Sequence, residues 1–395
     1  MSAAPMPPPP PRPATQGKGR GFLRAMLKLL VFFAGGALLG AGAAYSGLTL
    51  LPDVGLVGLA VFFIAMWPNL VLHEAGHAMA GAARGMDLVA FGVGPLRLER
   101  GSQGRWRVRH GGGVRGMGGF AAMVPRAGRD PGRLDQALLL AGGPLANLAT
   151  AALGLWLGTL LAAVPWASQV AVGFGLSALV LGVVNLLPIT SDGWRSDGRG
   201  LLDLLRGSPH AALQQQVNRM VALSMAGVRP RLWPSAIVPV GPADGSSPLL
   251  AAAADSMRLT HAMDTGDAQA SVSAAEDLAR RYPDLPEAMQ PTIAVGLAGY
   301  AAHFTRDAGQ LRAWRERCGR RSLLDLTPYL HWLDAELAML EGDADAARTS
   351  VEAARGTLER VHDATGVLLL EEYLDALEAG LRDSAVASPG EVVTV

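Results

Sequence analysis

Four long apolar runs dominate the first half of the chain and restrict the folds open to it. They cover about residues 29–51, 55–83, 137–164 and 170–189, and they contain hardly any charged side chains. A helix of about 20 residues, rising about 1.5 Å per residue, crosses a hydrocarbon layer of roughly 30 Å. The sequence therefore predicts an α-helical integral membrane protein with four transmembrane helices, rather than a soluble protein with buried core helices.

Lys and Arg residues are distributed unevenly around these runs. They are frequent before the first run, between the second and third, and after the fourth. The short loops near Pro52–Asp53 and Pro165–Gln169 contain none. Because segments rich in Lys and Arg stay on the cytoplasmic side, this pattern predicts a multi-pass protein with both termini cytoplasmic. The short loops and the Ala-, Arg- and Gly-rich composition favour a bacterial inner membrane.

The polar segments outside the runs are interpreted from their composition. Residues 1–21 are Pro-rich and basic, which indicates a disordered tail and not a signal peptide. Residues 208–248 contain a Pro-rich stretch typical of a juxtamembrane segment and linker, and residues 384–395 are predicted to be a disordered tail. The formal net charge is +0, so no general attraction to nucleic acid is expected. The single cysteine excludes an internal disulfide framework.

The loop between the second and third runs does not have a helical pattern. In this loop, LVAFGVGPLRLERG and RWRVRHGGGV alternate apolar and polar residues around glycines, which predicts a β-hairpin. The sequence RGMGGFAAMVP follows and is expected to lie at the membrane surface or to enter the membrane. Irregular backbone at that depth is tolerated only inside protein or beside a wet cavity.

Residues 249–383 are rich in Ala, Leu, Glu and Arg at helical spacing and predict an all-α soluble domain on the cytoplasmic side. The sequences TGDA, TRDA and EGDA begin at Thr265, Thr305 and Glu341, and each is predicted to join two antiparallel helices. The last pair resembles a tetratricopeptide helix pair. The spacing differs from a regular repeat of about 34 residues, so a plain helical bundle is the alternative.

The motif HEAGH, residues 73–77, lies near the end of the second run. A step of four residues places His73 and His77 on one face of a helix, where two imidazole nitrogens can bind one Zn²⁺ ion. Glu74 lies beside them and can take a proton from a water molecule, as in metalloproteases with this motif. Ionisable residues inside membrane spans are rare and are usually functional. The alternative is that the two histidines have only a structural role and form hydrogen bonds with neighbouring helices.

A zinc centre of this type needs a third protein ligand. The remaining histidines lie outside the runs, whereas Asp192 and Asp197 follow the fourth run, each before a glycine. By the charge-based topology, both aspartates reach the same side of the membrane as His73 and His77. Ser196 is a suitable N-cap for a helix that begins at Asp197, which favours Asp197 over Asp192.

Three sequence motifs occur in a characteristic order: HEAGH in one run, AGGPLAN at residues 141–147 in the next, and an N-x-x-P element followed by D-G after the last. In this arrangement residues 55–205 resemble the site-2 protease family, the M50 intramembrane zinc metallopeptidases. The resemblance implies a three-span catalytic core with Zn²⁺ as cofactor, and the transmembrane metalloprotease domain is predicted at residues 22–207. It also implies a membrane-protein substrate that is cut in or near a transmembrane segment.

The resemblance assigns roles residue by residue. His73 and His77 match the metal ligands, Glu74 matches the catalytic glutamate, and Asn147 and Asn185 match the two family asparagines. Asp197 is taken as the third ligand, although the family commonly places its D-G eight residues after the asparagine. Asn147 is expected to donate to a substrate carbonyl or to the developing oxyanion, with a helix–helix hydrogen bond as the alternative.

Two other functions compete with proteolysis. One is a catalytically inactive membrane scaffold whose C-terminal helical domain binds partner proteins, which the intact His-Glu-His set disfavours. The other is a metal transporter, which would need polar residues along several spans. The lipid bilayer and a single-span membrane protein are the expected partners, and regulated intramembrane proteolysis is the expected process.

Overall fold

The structure, a computed structural model, describes residues 9, 54–110, 118–126, 129, 131–191, 194–241, 246–319, 322 and 324–387. Three of its helices are long and apolar enough to cross a membrane: α1 (Gly55–Ala83), α2 (Arg133–Leu160) and α3 (Pro165–Leu186). They match the second, third and fourth predicted spans, although α2 and α3 begin four and five residues earlier than predicted. The first predicted span, residues 29–51, lies outside the described residues.

The chain divides into two compact units. Among the described residues, one comprises residues 70–146 and 182–387, and the other comprises residues 54–69 and 147–181. In the second unit, small residues bring helix backbones together, because a Cβ atom on Gly154 would lie 2.7 Å from the Cα atom of Gly175. Asn69 donates from Nδ2 to the carbonyl of Phe174 at 3.1 Å. Close contact at small residues and hydrogen bonds between helices are typical of membrane helix packing.

A four-stranded antiparallel sheet lies in the first unit, in the order β3-β2-β1-β4. Its strands are β1 (Met86–Val93), β2 (Leu96–Arg100), β3 (Trp106–His110) and β4 (Gly119–Pro125). The predicted hairpin is therefore part of a larger sheet. The sequence GFAAMVP was not recognised as a strand because its apolar residues are continuous and do not alternate with polar ones. It pairs with β1, and the pairing has a register shift between Leu88 and Ala90.

The same unit contains the remaining short strands and the helices that follow α3. These elements are β5 (Thr190–Ser191), β6 (Trp194–Arg195), α4 (Asp197–Arg206), α5 (Pro209–Met225), α6 (Pro248–Thr265), α7 (Ala268–Arg281), α8 (Gln290–Tyr300), α9 (Ala308–Arg315), α10 (Thr327–Glu341), α11 (Ala344–Arg355) and α12 (Ala364–Ala387). The C-terminal region is helical, as predicted.

The three recurring tetrapeptides lie at helix junctions. Asp267, Asp307 and Asp343 cap α7, α9 and α11, each accepting a hydrogen bond from a backbone N–H three residues later. The residue before each aspartate has a left-handed backbone; two of the three are glycines, and Arg306 has φ of 47°. A left-handed residue that ends one helix and an Asp that caps the next make a compact turn. The tetratricopeptide resemblance and the domain boundaries stay predictions.

The Pro-rich segment before α6 packs through its apolar side chains. Trp233 is 4% exposed and Ile237 is 9% exposed, and both lie in an apolar cluster with Met220 of α5 and Leu250 of α6. The indole N–H of Trp233 donates to the carbonyl of Val228. The segment therefore connects α5 and α6 through a small core of its own.

The sheet is bonded to the C-terminal helical region. Arg97 of β2 is buried and donates to the carbonyl of Ser322 at 2.6 Å. Glu99, on the same strand, accepts from the Asp325 backbone N–H at 3.2 Å, and the His362 ring donates to the carbonyl of Arg100. Arg97 and Glu99 of β2 thus have partners more than 200 positions later in the chain, although Glu99 also accepts from Arg109 of β3.

The thiol of Cys318 is expected to be inert in the folded protein. Its side chain is buried, and burial raises the pKa of Cys318 to about 12. Because the thiolate is the reactive species, we expect labelling by Ellman's reagent at pH 8 to be at least about 100-fold slower than in denatured protein. Equal rates in the presence and absence of denaturant would show that this part of the helical core is open.

Candidate metal centre

Both histidines of the motif lie on α1 and face the same side. Their rings pack edge to face, with centroids 4.8 Å apart, and His73 and His77 are 4% and 9% exposed. The Nδ1 atom of His77 lies 2.7 Å from the carbonyl oxygen of Leu139 on α2. An N–H at Nδ1 that donates to this carbonyl leaves the Nε2 lone pair of His77 available to bind a metal ion.

Asp197 is delivered to the histidines by the start of α4. Ser196 caps this helix, as predicted, because its hydroxyl accepts from the Arg199 N–H at 3.2 Å. The next residue, Gly198, lies against the last turn of α3, where a Cβ atom would be only 1.9 Å from the carbonyl oxygen of Leu186. The D-G pair therefore combines a possible ligand with the only residue type that permits this close contact.

The three side chains converge on one point. Asp197 Oδ2 lies 3.1 Å from His73 Nε2, Asp197 Oδ1 lies 3.4 Å from His77 Nε2, and the two Nε2 atoms are 3.2 Å apart. Ligand atoms about 2.0–2.1 Å from a tetrahedral zinc ion are separated by about 3.3–3.4 Å, so the donor set and its spacing fit a metal ion. His73, His77 and Asp197 thus form a group that could hold one. Asp192 lies outside the described residues.

The charge of Asp197 also suits a metal ligand. Burial disfavours the ionised carboxylate, but hydrogen bonds from the Nε2–H groups of protonated His73 and His77 outweigh burial and hold the pKa of Asp197 below its ordinary value. A metal ion would take the place of these two protons. An ionised carboxylate beside two imidazoles is the form that binds a divalent cation. The sequence predicted the residue but not these contacts.

Glu74 borders the same cavity and faces the sheet. This cavity has a volume of about 340 Å³, and residues of α1, β4, α2, α3 and α4 line it. The first residue of β4, Gly119, is so close that a Cβ atom on it would lie 2.8 Å from Cγ and Oε1 of Glu74. Gly119 therefore leaves room for the Glu74 carboxylate, and any larger residue at this position would overlap with it.

Three further glycines shape the centre, and this role was not predicted from the sequence. A Cβ atom on Gly76 of α1 would lie 2.4 Å from the carbonyl oxygen of Gly142 on α2, and one on Gly142 would lie 2.5 Å from that of Gly76. A Cβ atom on Gly143 would lie 2.4 Å from His77 Nε2 and 2.8 Å from His73 Nε2. The two adjacent glycines of AGGPLAN are visible in the sequence. The sequence does not show which residues of α1 they contact.

The two family asparagines have different surroundings. Asn185 lines the cavity of the metal centre. Asn147 lies in the other compact unit, fully buried, and neither its Nδ2 nor its Oδ1 has a hydrogen-bond partner among the described residues. A buried amide without partners costs free energy, so its position suits a group held for a function. Its assignment to catalysis stays a prediction.

The fold and the donor group define a class: a helical membrane protein that carries a candidate two-histidine, one-aspartate metal centre beside a small sheet. Residues 61–177 match the model of peptidase family M50, the site-2 protease family. This match confirms the predicted resemblance over these residues and indicates a metalloprotease. It does not extend to the C-terminal helical region. Comparison with curated proteins and with solved structures gave no match.

Proposed function

We propose that the protein is an intramembrane zinc metalloprotease that hydrolyses peptide bonds in or near the transmembrane segments of membrane proteins. The observation that supports this function most directly is the convergence of His73, His77 and Asp197 beside Glu74. Residues 73 and 77 come from one helix and residue 197 from another, so their meeting is not a consequence of the motif alone. The cell membrane of a bacterium, with both termini cytoplasmic, is the proposed location.

In this proposal His73, His77 and Asp197 hold zinc, which supplies Lewis-acid activation of water and of the substrate carbonyl. Glu74 takes one proton from the attacking water as the water oxygen bonds to the carbonyl carbon. The C–N bond then breaks, and Glu74 delivers that proton to the departing nitrogen. The products are a new carboxylic acid and a new amine, and transfer of the second water proton between them gives a carboxylate and an ammonium group. Asn147 is proposed to donate to the carbonyl oxygen of the substrate.

The outer edge of β4 is the proposed docking place for the substrate backbone. In the described part of the chain β4 pairs with β1 only, and its first residue adjoins Glu74. A substrate segment that adds to this edge is extended, which exposes the peptide bond that a helix would hide. Substrates that unwind easily near the cleavage site are therefore expected to be cut fastest.

Metal analysis tests the ligand set. We expect purified wild-type protein to carry about one zinc ion per chain, and the His73→Ala and Asp197→Ala proteins to carry almost none, because two ligands hold zinc much more weakly than three. The matched control is Asp192→Ala, which removes the competing aspartate and is expected to keep the metal. Loss of zinc in Asp192→Ala and retention in Asp197→Ala would reverse the assignment.

A further inference from the structure

A second cavity adjoins the metal centre and is not explained by the steps above. Its volume is about 580 Å³, within the range of about 300–1,000 Å³ found for ligand sites. It shares Ala121, Leu139, Leu140 and Arg195 with the cavity of the metal centre. The two cavities are therefore neighbours along β4, separated by side chains that line both of them.

The walls of this second cavity are largely apolar. Strand β4 contributes Ala122 and Met123, α4 contributes Leu204, and α5 and α6 contribute Val217 and Leu250. The helices α5 and α6 follow the segment matched by the family model, so this wall is built by the chain's own C-terminal half. An apolar wall with a few polar groups is typical of sites that bind peptides and small ligands.

Two hydrogen-bond donors in this wall lack partners. Gln136 is 5% exposed, and its Nε2 atom has no hydrogen-bond partner among the described residues. The Nε atom of Arg195 is also buried without a partner, although the same guanidinium bonds to Asp203 through another nitrogen. Both side chains line the cavity. A buried donor without a partner is costly, and the carbonyl groups of an extended polypeptide would satisfy both.

We infer that this cavity binds an extended, apolar segment of the substrate next to the cleaved bond, with Gln136 and Arg195 donating to its backbone carbonyls. The inference rests on the proposed proteolysis and adds a specificity-determining site to it. It predicts a preference for apolar residues on one side of the cleaved bond. It also gives α5 and α6 a direct part in substrate binding.

Hydroxamate probes test the inference on the zinc-loaded, full-length protein. Acetohydroxamic acid reports the metal centre alone, and two longer hydroxamates carry a Leu-Ala-Leu segment on either side of the metal-binding group. We expect one of the longer probes to bind wild-type protein at least tenfold more tightly than acetohydroxamic acid. Gln136→Leu removes a hydrogen-bond donor, and Gln214→Trp fills the cavity. We expect each variant to lose most of the gain in affinity that the longer probe has over acetohydroxamic acid.

Variants of a neighbouring residue on α5 test whether the loss of affinity comes from the cavity or from a general effect of the substitution. Gln215 is adjacent to Gln214 on α5 but does not line the cavity, so Gln215→Leu and Gln215→Trp are expected to keep the full gain. Gln136→Leu is also expected to leave the melting temperature unchanged or raised, because it removes an unpaired buried donor. A merely structural role for Gln136 would instead lower the melting temperature and leave the gain intact, which would overturn the inference.

A metal-independent readout separates failure of the inference from failure of the proposed function. The Asn218→Cys variant places a thiol in the cavity wall, and the native Cys318 is buried and gives little background. The amide of Leu-Ala-Leu at saturating concentration is expected to slow maleimide labelling of this thiol several-fold. If acetohydroxamic acid does not bind but labelling is slowed, the protease proposal fails and the cavity site stands. Unchanged labelling would refute the cavity site.

Discussion

Replacing Glu74 by Gln is expected to abolish peptide hydrolysis while the protein keeps its zinc. Glutamine fills the same space beside Gly119 but cannot accept and return a proton. General acid–base catalysis contributes about 10²–10⁴-fold to such reactions, so the rate is expected to fall by at least this factor. Cleavage of co-expressed single-span membrane proteins, followed by kinetics on a purified substrate, gives the measurement.

The control for this variant is Glu352→Gln, which changes an exposed glutamate on α11 in the same chemical way. It is expected to cleave at the wild-type rate. If Glu74→Gln cleaved as fast as Glu352→Gln, the proposed role of Glu74 would be wrong. If neither wild type nor control cleaved any candidate substrate while zinc was bound, the scaffold function would become the better explanation.

The second large effect is expected from Gly143→Ala, a change of one methyl group. The new Cβ atom would lie 2.4 Å from His77 Nε2 and 2.8 Å from His73 Nε2, the two nitrogens assigned to the metal. The rings cannot keep their positions, because atoms at these distances overlap strongly. We expect zinc affinity, measured by competition with a chelator, to fall at least about tenfold, the lower limit for changes that displace metal ligands indirectly.

Gly296→Ala provides the matched control in α8, where a Cβ atom would meet nothing within 4 Å. Alanine is favoured over glycine within a helix by about 0.8–1.0 kcal/mol, so this variant is expected to keep its zinc and to be slightly more stable. Equal zinc affinity in the two variants would show that α2 can move away from the histidines without cost.

Residues of the metal centre could be predicted from the sequence where their role depends on neighbours a few positions away in the chain. The step from His73 to His77 is fixed by the helix, and Ser196 before Asp197 is a local capping signal, so both follow from the sequence. The role of Gly143 does not follow in this way. Gly143 cannot be replaced by a larger residue because of the rings of His77 and His73, which lie 66 and 70 positions earlier. The sequence does not show which helices are in contact.

The sheet illustrates the same limit. The sequence predicted a hairpin from alternating residues but missed β4, whose continuous apolar residues resemble a membrane-associated loop. The distant partners of Arg97 and Glu99 were also beyond prediction, because they lie in a helical region that has no local relation to β2. The helix junctions at Asp267, Asp307 and Asp343, by contrast, were found from short recurring tetrapeptides, because a turn with its cap is encoded within four residues.

The contact between Gly76 and Gly142 also determines where a gate for the substrate can be. At this level the backbones of α1 and α2 are so close that not even a methyl group fits between them. A substrate helix is about 10–12 Å wide, and its passage between α1 and α2 here would require the complete separation of the two helices. Lateral entry through this seam is therefore excluded while the contact holds. In the proposed mechanism the polypeptide would instead reach Glu74 along the edge of β4, whose first residue, Gly119, lies beside that side chain.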